Sequence, residues 1–343
     1  MDEGAAIGLD RARTACWLGE AAGLRGPVSF QRIGRGQSNL TFLATDADRR
    51  RVVLRRPPLG ELLASAHDIA REHRILRALQ PTAVATPDVV GFTDDPAITD
   101  VPLLAVEHVE GLVVDDLAIA EALPPEVRER LGGALVSALA SIHAVDLNAT
   151  GLVDLASHKP YAERQIKRWR RQWERSRTRD LPTVADLAGR LEAAMPKQRQ
   201  LTLVHGDFHL LNTIASPGGD TIRAVLDWEL CTLGDPLADL GGLLAYWPQA
   251  GDEGTPLFAA PALPGFMSRD KLAEAYAERT GHDIADLPFW HVLGLWKVAI
   301  IGEGVRRRAL EDPRNAPDVG VPSQDAVDDL VAHAMRVASA AGF

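Results

Sequence analysis

Asp207, Asn212 and Asp227 stand at a spacing that suits work on phosphates. The first two lie in Val204-His205-Gly206-Asp207-Phe208-His209-Leu210-Leu211-Asn212, the third in Val225-Leu226-Asp227-Trp228-Glu229. Moving a phosphoryl group from ATP needs a carboxylate that orients the attacking hydroxyl and accepts its proton. It also needs oxygen ligands that hold Mg²⁺ against the phosphates. An Asp, an Asn five positions on and an Asp at the end of a hairpin strand supply all three groups. A different chemistry is written over the same residues. The alternation His205-x-Asp207-x-His209 could grip Zn²⁺ from a strand, as in a metallohydrolase. That site would need further ligands, and no second His pair lies nearby, whereas Mg²⁺ also accounts for Asn212 and Asp227.

These side chains must be positioned by the elements around them. Apolar runs at Leu201–Val204 and Ile222–Leu226 flank the turn Ser216-Pro217-Gly218-Gly219, which predicts a hairpin. Upstream of residue 110, β-type segments dominate: Phe30–Ile33, Leu40–Thr45, Arg51–Arg55 and Pro102–Val109. One helix interrupts them, from about Ala66 to Leu79, with Ile69, Ile75, Leu76 and Leu79 at helical spacing. Pro81 and Pro87 then open an extended stretch. Beyond Gly111 the pattern turns helical. Val127, Leu131, Leu135, Leu139 and Ile142 form one stripe, Tyr161 to Arg177 a second helix, and 237–247, 269–279, 288–310 and 324–341 the rest. The fold class expected is α+β with two lobes: a small antiparallel-sheet lobe with one key helix over 1–109, and a larger, mostly helical lobe over 110–343. A cleft between lobes is a usual place for a ligand.

The motif resembles the catalytic loop and metal-binding Asp of kinases. In its His-Gly-Asp-x-x-x-x-Asn form it is similar to the aminoglycoside phosphotransferase and choline kinase family, which has a protein-kinase-like fold. The resemblance implies an ATP- and Mg²⁺-dependent kinase acting on a small molecule. Asp207 would be the catalytic base, Asn212 and Asp227 the Mg²⁺ ligands, and His205 a structural brace. His209 would sit near the γ-phosphate, where kinases often place a cation. In the sheet lobe, Ile33-Gly34-Arg35-Gly36-Gln37-Ser38-Asn39-Leu40 lies between two strands, and Gly34, Gly36, Ser38 and Asn39 would cradle phosphate. Only two glycines are present, and Asn39 holds the third kinase glycine position. Arg55 aligns with the phosphate-pairing Lys of kinases; it is a forked, permanent cation, and Arg56 beside it competes for the role. Glu72, 17 residues on, resembles the kinase Glu that pairs this cation. Leu103 to Gly111 resembles the inter-lobe hinge, with backbone groups near Glu107 and Val109 binding adenine. Asp235 and Asp239, in Gly234-Asp235-Pro236-Leu237-Ala238-Asp239, would anchor the catalytic loop.

For the acceptor, eight basic residues between Glu163 and Arg179 face two acids. Such a run is either a solvated face or an anion-binding wall. Arg164, Arg168 and Trp169 from this stretch, with Trp290, Lys297 and Arg307 from the helix 288–310, are the candidate acceptor-site residues. The tryptophans are equally readable as core. The stretch Tyr161–Trp173, together with Leu54-Arg55-Arg56-Pro57-Pro58, resembles the branch of the family found fused to, or encoded near, acyl-CoA dehydrogenases. The acceptor this implies is a hydroxylated acyl chain, free or as a CoA thioester. Alternatives are an aminoglycoside 3'-type kinase and a nucleotide-binding pseudokinase acting through partners. The first would need an acidic pocket for its polycationic substrate.

The composition sets outer bounds. The 343 residues suggest about two domains. Hydrophobic residues at 46% and charged residues at 24% are ordinary for a globular chain. A net charge of −10 disfavours general nucleic-acid binding, and no apolar run suits a membrane span. The start lacks a secretory signature, and Cys16 and Cys231 read as separate buried thiols of a cytoplasmic protein. The expected partner is therefore a small hydroxylated molecule, with neither nucleic acid nor membrane.

Overall fold

The computed structural model describes residues 8–34, 39–58, 68–252, 258–312 and 320–343. The chain condenses into two units, which change over at Glu110 and Gly111; Ala83–Ala85 belong to the second.

The first unit comprises α1 (Arg11–Ala22), β1 (Ser29–Ile33), β2 (Leu40–Thr45), β3 (Arg51–Arg56), α2 (Ile69–Leu79), β4 (Val89–Thr93) and β5 (Leu103–Glu107). Its five strands form one antiparallel sheet in the order β1-β2-β3-β5-β4. Alternation along β3 buries Val52, Leu54 and Arg56 and leaves Val53 and Arg55 half-buried. Phe42, Ala44, Leu54, Leu103 and Ala105 join Trp17 and Leu18 of α1 in the core. Helix α2 starts where the Asp68 side chain accepts the Arg71 N–H at 2.9 Å. It buries Ile69, Glu72, Ile75, Leu76 and Leu79, a carboxylate among aliphatics.

The second unit holds α3 (Leu117–Ala122), α4 (Pro125–His143), α5 (Tyr161–Ser176), α6 (Pro182–Ala193), β6 (Thr202–Val204), β7 (Thr213–Ala215), β8 (Ile222–Val225), β9 (Thr232–Gly234), α7 (Leu237–Ala245), α8 (Arg269–Thr280), α9 (Leu287–Glu311) and α10 (Gln324–Ala340). Helix α9 is apolar on nearly every side from Leu287 to Ile300 and is the central post, packed by α5, α6, α7 and α10. It meets α7 at a pair of glycines. A Cβ on Gly241 would lie 2.4 Å from the Trp290 carbonyl carbon, and one on Gly294 would lie 2.7 Å from Gly241 O. Only bare backbone permits that approach. No helix among the described residues is long and apolar enough to cross a membrane.

The α+β class is as expected, with three corrections of detail. The hairpin around Ser216–Gly219 is formed by β7 and β8, while the run at Leu201–Val204 becomes β6 and pairs with β9. The three-residue β7 is too short to announce itself by alternation. Helix α1, strand β4 and helix α6 were not expected as such. Cys16 is exposed on α1, whose buried face carries Thr14, Trp17 and Leu18; Cys231 is buried.

Candidate active site

Residues 205–212 connect β6 to β7, and their conformation is fixed from below by α7. Asp239 accepts the His205 N–H at 2.6 Å on one carboxylate oxygen and the Gly206 N–H at 2.8 Å on the other. Burial works against its charge, but the His143 imidazole and these donors hold its carboxyl below the usual carboxylate range. His143 contacts Asp239 at 3.4 Å through Nε2, and its Nδ1 shares a hydrogen bond with the Tyr276 hydroxyl at 2.7 Å. Asp235 receives the Leu237 N–H at 3.0 Å at the start of α7, and burial raises its carboxyl pKa. Gly206 has φ +83°, and a Cβ there would lie 2.7 Å from Leu230 O. Glycine is required on both counts.

His205 is fully buried and both ring nitrogens are committed. The Asp207 N–H donates to Nδ1 at 3.3 Å, and Nε2–H donates to Leu226 O at 3.0 Å. The ring is therefore neutral, in line with the lowering of its pKa by burial. It ties the loop to β8, and Trp228 meets it edge-on at 4.7 Å. Since no lone pair is left, His205 cannot complete a zinc grip with His209. Among the described residues no group of three His, Cys, Asp or Glu is arranged to hold a metal ion.

The Asp207 carboxylate is the hub of the loop. Lys297 Nζ, from α9, lies 3.2 Å from Oδ1 and donates to Gly206 O at 2.5 Å. His209 Nε2 lies 3.3 Å from Oδ2. Asn212 Nδ2 donates to Oδ2 at 3.2 Å and to the Asp207 carbonyl at 2.9 Å. Burial alone would raise the Asp207 pKa, but Lys297 first and His209 second hold it far below the usual range. His209 packs its ring 4.2 Å from that of Tyr246.

Asn212 and Asp227 lie at the same, open end of the hairpin. Thr213 pairs with Val225, and the Leu226 N–H donates to Asn212 O at 2.8 Å, so Asp227 follows directly on Asn212's backbone partner. Asp227 adopts φ 64°, ψ 64°, a left-handed conformation rare outside glycine and costly to hold. With its amide nitrogen bound to Asp207, Asn212 has its side-chain carbonyl oxygen to offer. An amide oxygen beside a carboxylate is a hard-oxygen set that fits Mg²⁺.

Asp207 also lines a narrow pocket inside the second unit, with a cavity volume of about 30 Å³. Its walls are Tyr161, Gln165, Trp169, Phe208, Tyr246, Trp290, Leu293 and Val298, with Lys297 and Asp239 as further charged groups. Of the candidate acceptor residues, Trp169, Trp290 and Lys297 line it and Arg164, Arg168 and Arg307 do not. Arg164 donates to the Lys159 carbonyl at 3.1 Å and stacks over Tyr161, Arg168 lies exposed over Trp169, and Arg307 pairs with Glu311 at 2.7 Å. The cations of α5 do not line this pocket: the helix turns Ile166, Trp169 and Trp173 inward, with Arg164 half-buried and Lys167, Arg168, Arg170 and Arg171 exposed.

In the first unit, Arg55 Nε lies 3.2 Å from Glu72 Oε1, with Glu72 only 2% exposed. Arg56 is buried on the opposite face, donating to Pro57 O at 3.2 Å and lying 3.5 Å from Asp100. Gly34 follows β1 with φ +79°, and Asn39 is buried at the start of β2. Gly36 and Ser38 lie outside the described residues. Glu107 ends β5, its N–H donating to Asp88 O at 2.8 Å, and Val109 is half-buried two residues on.

The profile of the phosphotransferase enzyme family matches residues 29–290. Mouse acyl-CoA dehydrogenase family member 10 is 36% identical over 297 residues, covering 83% of this chain and 27% of that protein. Rat acyl-CoA dehydrogenase family member 11 is 32% identical, covering 86% and 38%. The chain thus spans between about a quarter and two-fifths of these relatives. Among solved structures, a Ralstonia eutropha protein of the aminoglycoside phosphotransferase type superposes with a TM-score of 0.73 at 27% identity, covering 97% of both chains. Aminoglycoside phosphotransferase APH(4)-Ia, solved with AMP-PNP and hygromycin B, shares the fold at a TM-score of 0.62 and 18% identity, covering 96% of this chain and 99% of that one.

Proposed function

Given that the chain belongs to the phosphotransferase enzyme family, we propose that it phosphorylates the hydroxyl of a hydroxyacyl compound, free or as its CoA thioester, at Asp207. The family and its fold imply ATP- and Mg²⁺-dependent transfer to an alcohol. The acceptor and the roles of individual residues are our reading.

The observation that carries it is the Asp207 carboxylate, held by Lys297, His209 and Asn212 on the wall of an aromatic pocket. The acceptor hydroxyl donates its hydrogen bond to Asp207. As the oxygen bonds to the γ-phosphorus, its proton passes to the carboxylate, and the bond to the β-phosphate oxygen breaks with ADP taking the electron pair. Lys297 and His209 keep this carboxylate ionised and ready to accept. It aims the hydroxyl early and takes the proton late, as suits a loose transition state. Asn212 and Asp227 are the Mg²⁺ ligands in this reading, and the ion supplies charge neutralisation at the phosphates. Within the first unit, Arg55, paired with Glu72, and Gly34 and Asn39 are the residues we read as phosphate-binding.

Two features favour an acyl acceptor over an aminoglycoside. The pocket walls are largely aromatic and aliphatic. Of its two carboxylates, Asp239 is taken up by the loop backbone and Asp207 already carries a lysine. Nothing there suits a polycation. Relatives named for acyl-CoA dehydrogenases point the same way. The test is a screen of Mg·ATP with hydroxyacyl thioesters, hydroxy acids, choline-like alcohols and aminoglycosides, read by ³¹P NMR. A phosphate ester on a hydroxyacyl probe is expected. Phosphorylation of aminoglycosides alone would overturn the acceptor assignment.

A further inference from the structure

The hydrogen bonds around Asp207 leave one direction open to an alcohol. A carboxylate oxygen accepts about two hydrogen bonds. Oδ2 is already met by His209 Nε2 at 3.3 Å and Asn212 Nδ2 at 3.2 Å. Oδ1 is met by Lys297 Nζ at 3.2 Å. An incoming hydroxyl therefore docks on Oδ1, beside the lysine.

Lys297 has capacity left. An ammonium carries three N–H donors. One serves Gly206 O and one Asp207 Oδ1, while the group lines the pocket 5.8 Å from the Trp169 ring centroid. Trp290 lines the same pocket, and its indole N–H is buried with no acceptor among the described residues. A buried indole N–H normally finds one. Two donors set among aromatic walls call for an oxygen acceptor on an otherwise apolar molecule.

We propose that Lys297, assisted by Trp290, determines specificity by binding a second oxygen of the acceptor, a carbonyl or carboxylate on the chain that bears the reacting hydroxyl. The inference rests on the reading of Asp207 as the residue that receives the hydroxyl. It adds a recognition element from α9, some 90 residues along the chain from Asp207. The remaining N–H of Lys297 seeks an acceptor, which an acyl oxygen supplies and a protonated amine does not.

The test uses six-carbon probes on the whole protein: hexanoate, 1-hexanol and hexylamine, titrated by quenching of tryptophan fluorescence. Hexanoate is expected to bind at least tenfold more tightly than hexylamine. Lys297→Met should abolish that preference, Lys297→Arg should restore part of it, and Trp290→Phe should weaken hexanoate several-fold, each read on protein that circular dichroism shows to be folded. Wild-type protein that binds none of the probes, or does not distinguish acid from amine, overturns the inference. So does a preference that survives both Lys297→Met and Trp290→Phe. Should Lys297→Met fail to fold, Trp290→Phe and Lys297→Arg still decide. Phosphorylation of 4-hydroxyhexanoate, assayed in parallel, should show Lys297→Met raising KM at least tenfold; an unchanged KM contradicts the proposal. Selective hexanoate binding without any turnover of hydroxylated probes would support the lysine's role and count instead against the acceptor assignment.

Discussion

Asp239 never touches the pocket chemistry in our reading, yet the catalytic loop depends on it. Its two oxygens receive the N–H groups of His205 and Gly206, and His143 approaches Oδ2. Asn at this position must turn an NH₂ toward one of those donors. Asp239→Asn should therefore cost roughly 1–3 kcal/mol for a buried donor left without an acceptor. It should lower kcat more than it raises KM, because the displaced backbone carries Asp207. Urea unfolding and steady-state kinetics on the same preparation check both; full activity with lowered stability would show that Asp239 supports the fold alone. At this scale much was legible in the sequence. The motif around Asp207, Asn212 and Asp227 pointed to the family that matches residues 29–290, and Arg55 does meet Glu72. What could not be read was the partnership of Lys297 with Asp207. No local pattern marks a contact between residues so far apart in the chain, and Lys297 was expected only on the acceptor wall.

Among the elements, the α7–α9 contact decides where Lys297 arrives. Gly241 and Gly294 let the two helices meet at backbone distance, and Lys297 follows Gly294 by one turn. Gly294→Val should force the helices apart at a cost of about 1–3 kcal/mol. Withdrawing Lys297 from Asp207 should also lower acceptor affinity more than nucleotide affinity. Calorimetric melting and parallel titrations measure the two effects; an unchanged melting temperature would mean that the contact is looser than described. Strands with clean alternation, such as β2 and β3, and helices with a broad apolar stripe, such as α4, were legible because periodicity reports burial directly. Helix α1 escaped since it buries only Thr14, Trp17 and Leu18. The cations of α5 misled in the opposite sense. Charge density names the residues on a helix but not the face that meets the pocket, and here the tryptophan face is the inner one.

The whole molecule contains histidines folded away as neutral rings. Burial lowers the pKa of His205, and it brings that of His291 down to about 3. An unfolded His takes up its proton near 6.5 while these do not, so the unfolded state binds more protons below that pH. Stability should be level above about pH 7 and fall as the pH drops through 6.5 toward 5. Denaturant midpoints at pH 7.5 and 5.5 test the sign, and His291→Gln should flatten the slope. A protein more stable at pH 5.5 would contradict it. At the scale of the whole molecule the proposed function comes down to one act: a loop carrying Asp207 aims an alcohol at the terminal phosphorus of ATP. The most direct measurement compares wild-type protein with Asp207→Asn, following ADP and phosphate-ester formation on a hydroxyacyl acceptor while nucleotide affinity is titrated separately. In Asp207→Asn, kcat is expected to fall by roughly 10²–10⁴-fold with the affinity for Mg·ATP unchanged. A variant that keeps its turnover, or one that loses nucleotide binding along with it, would contradict the role given to Asp207.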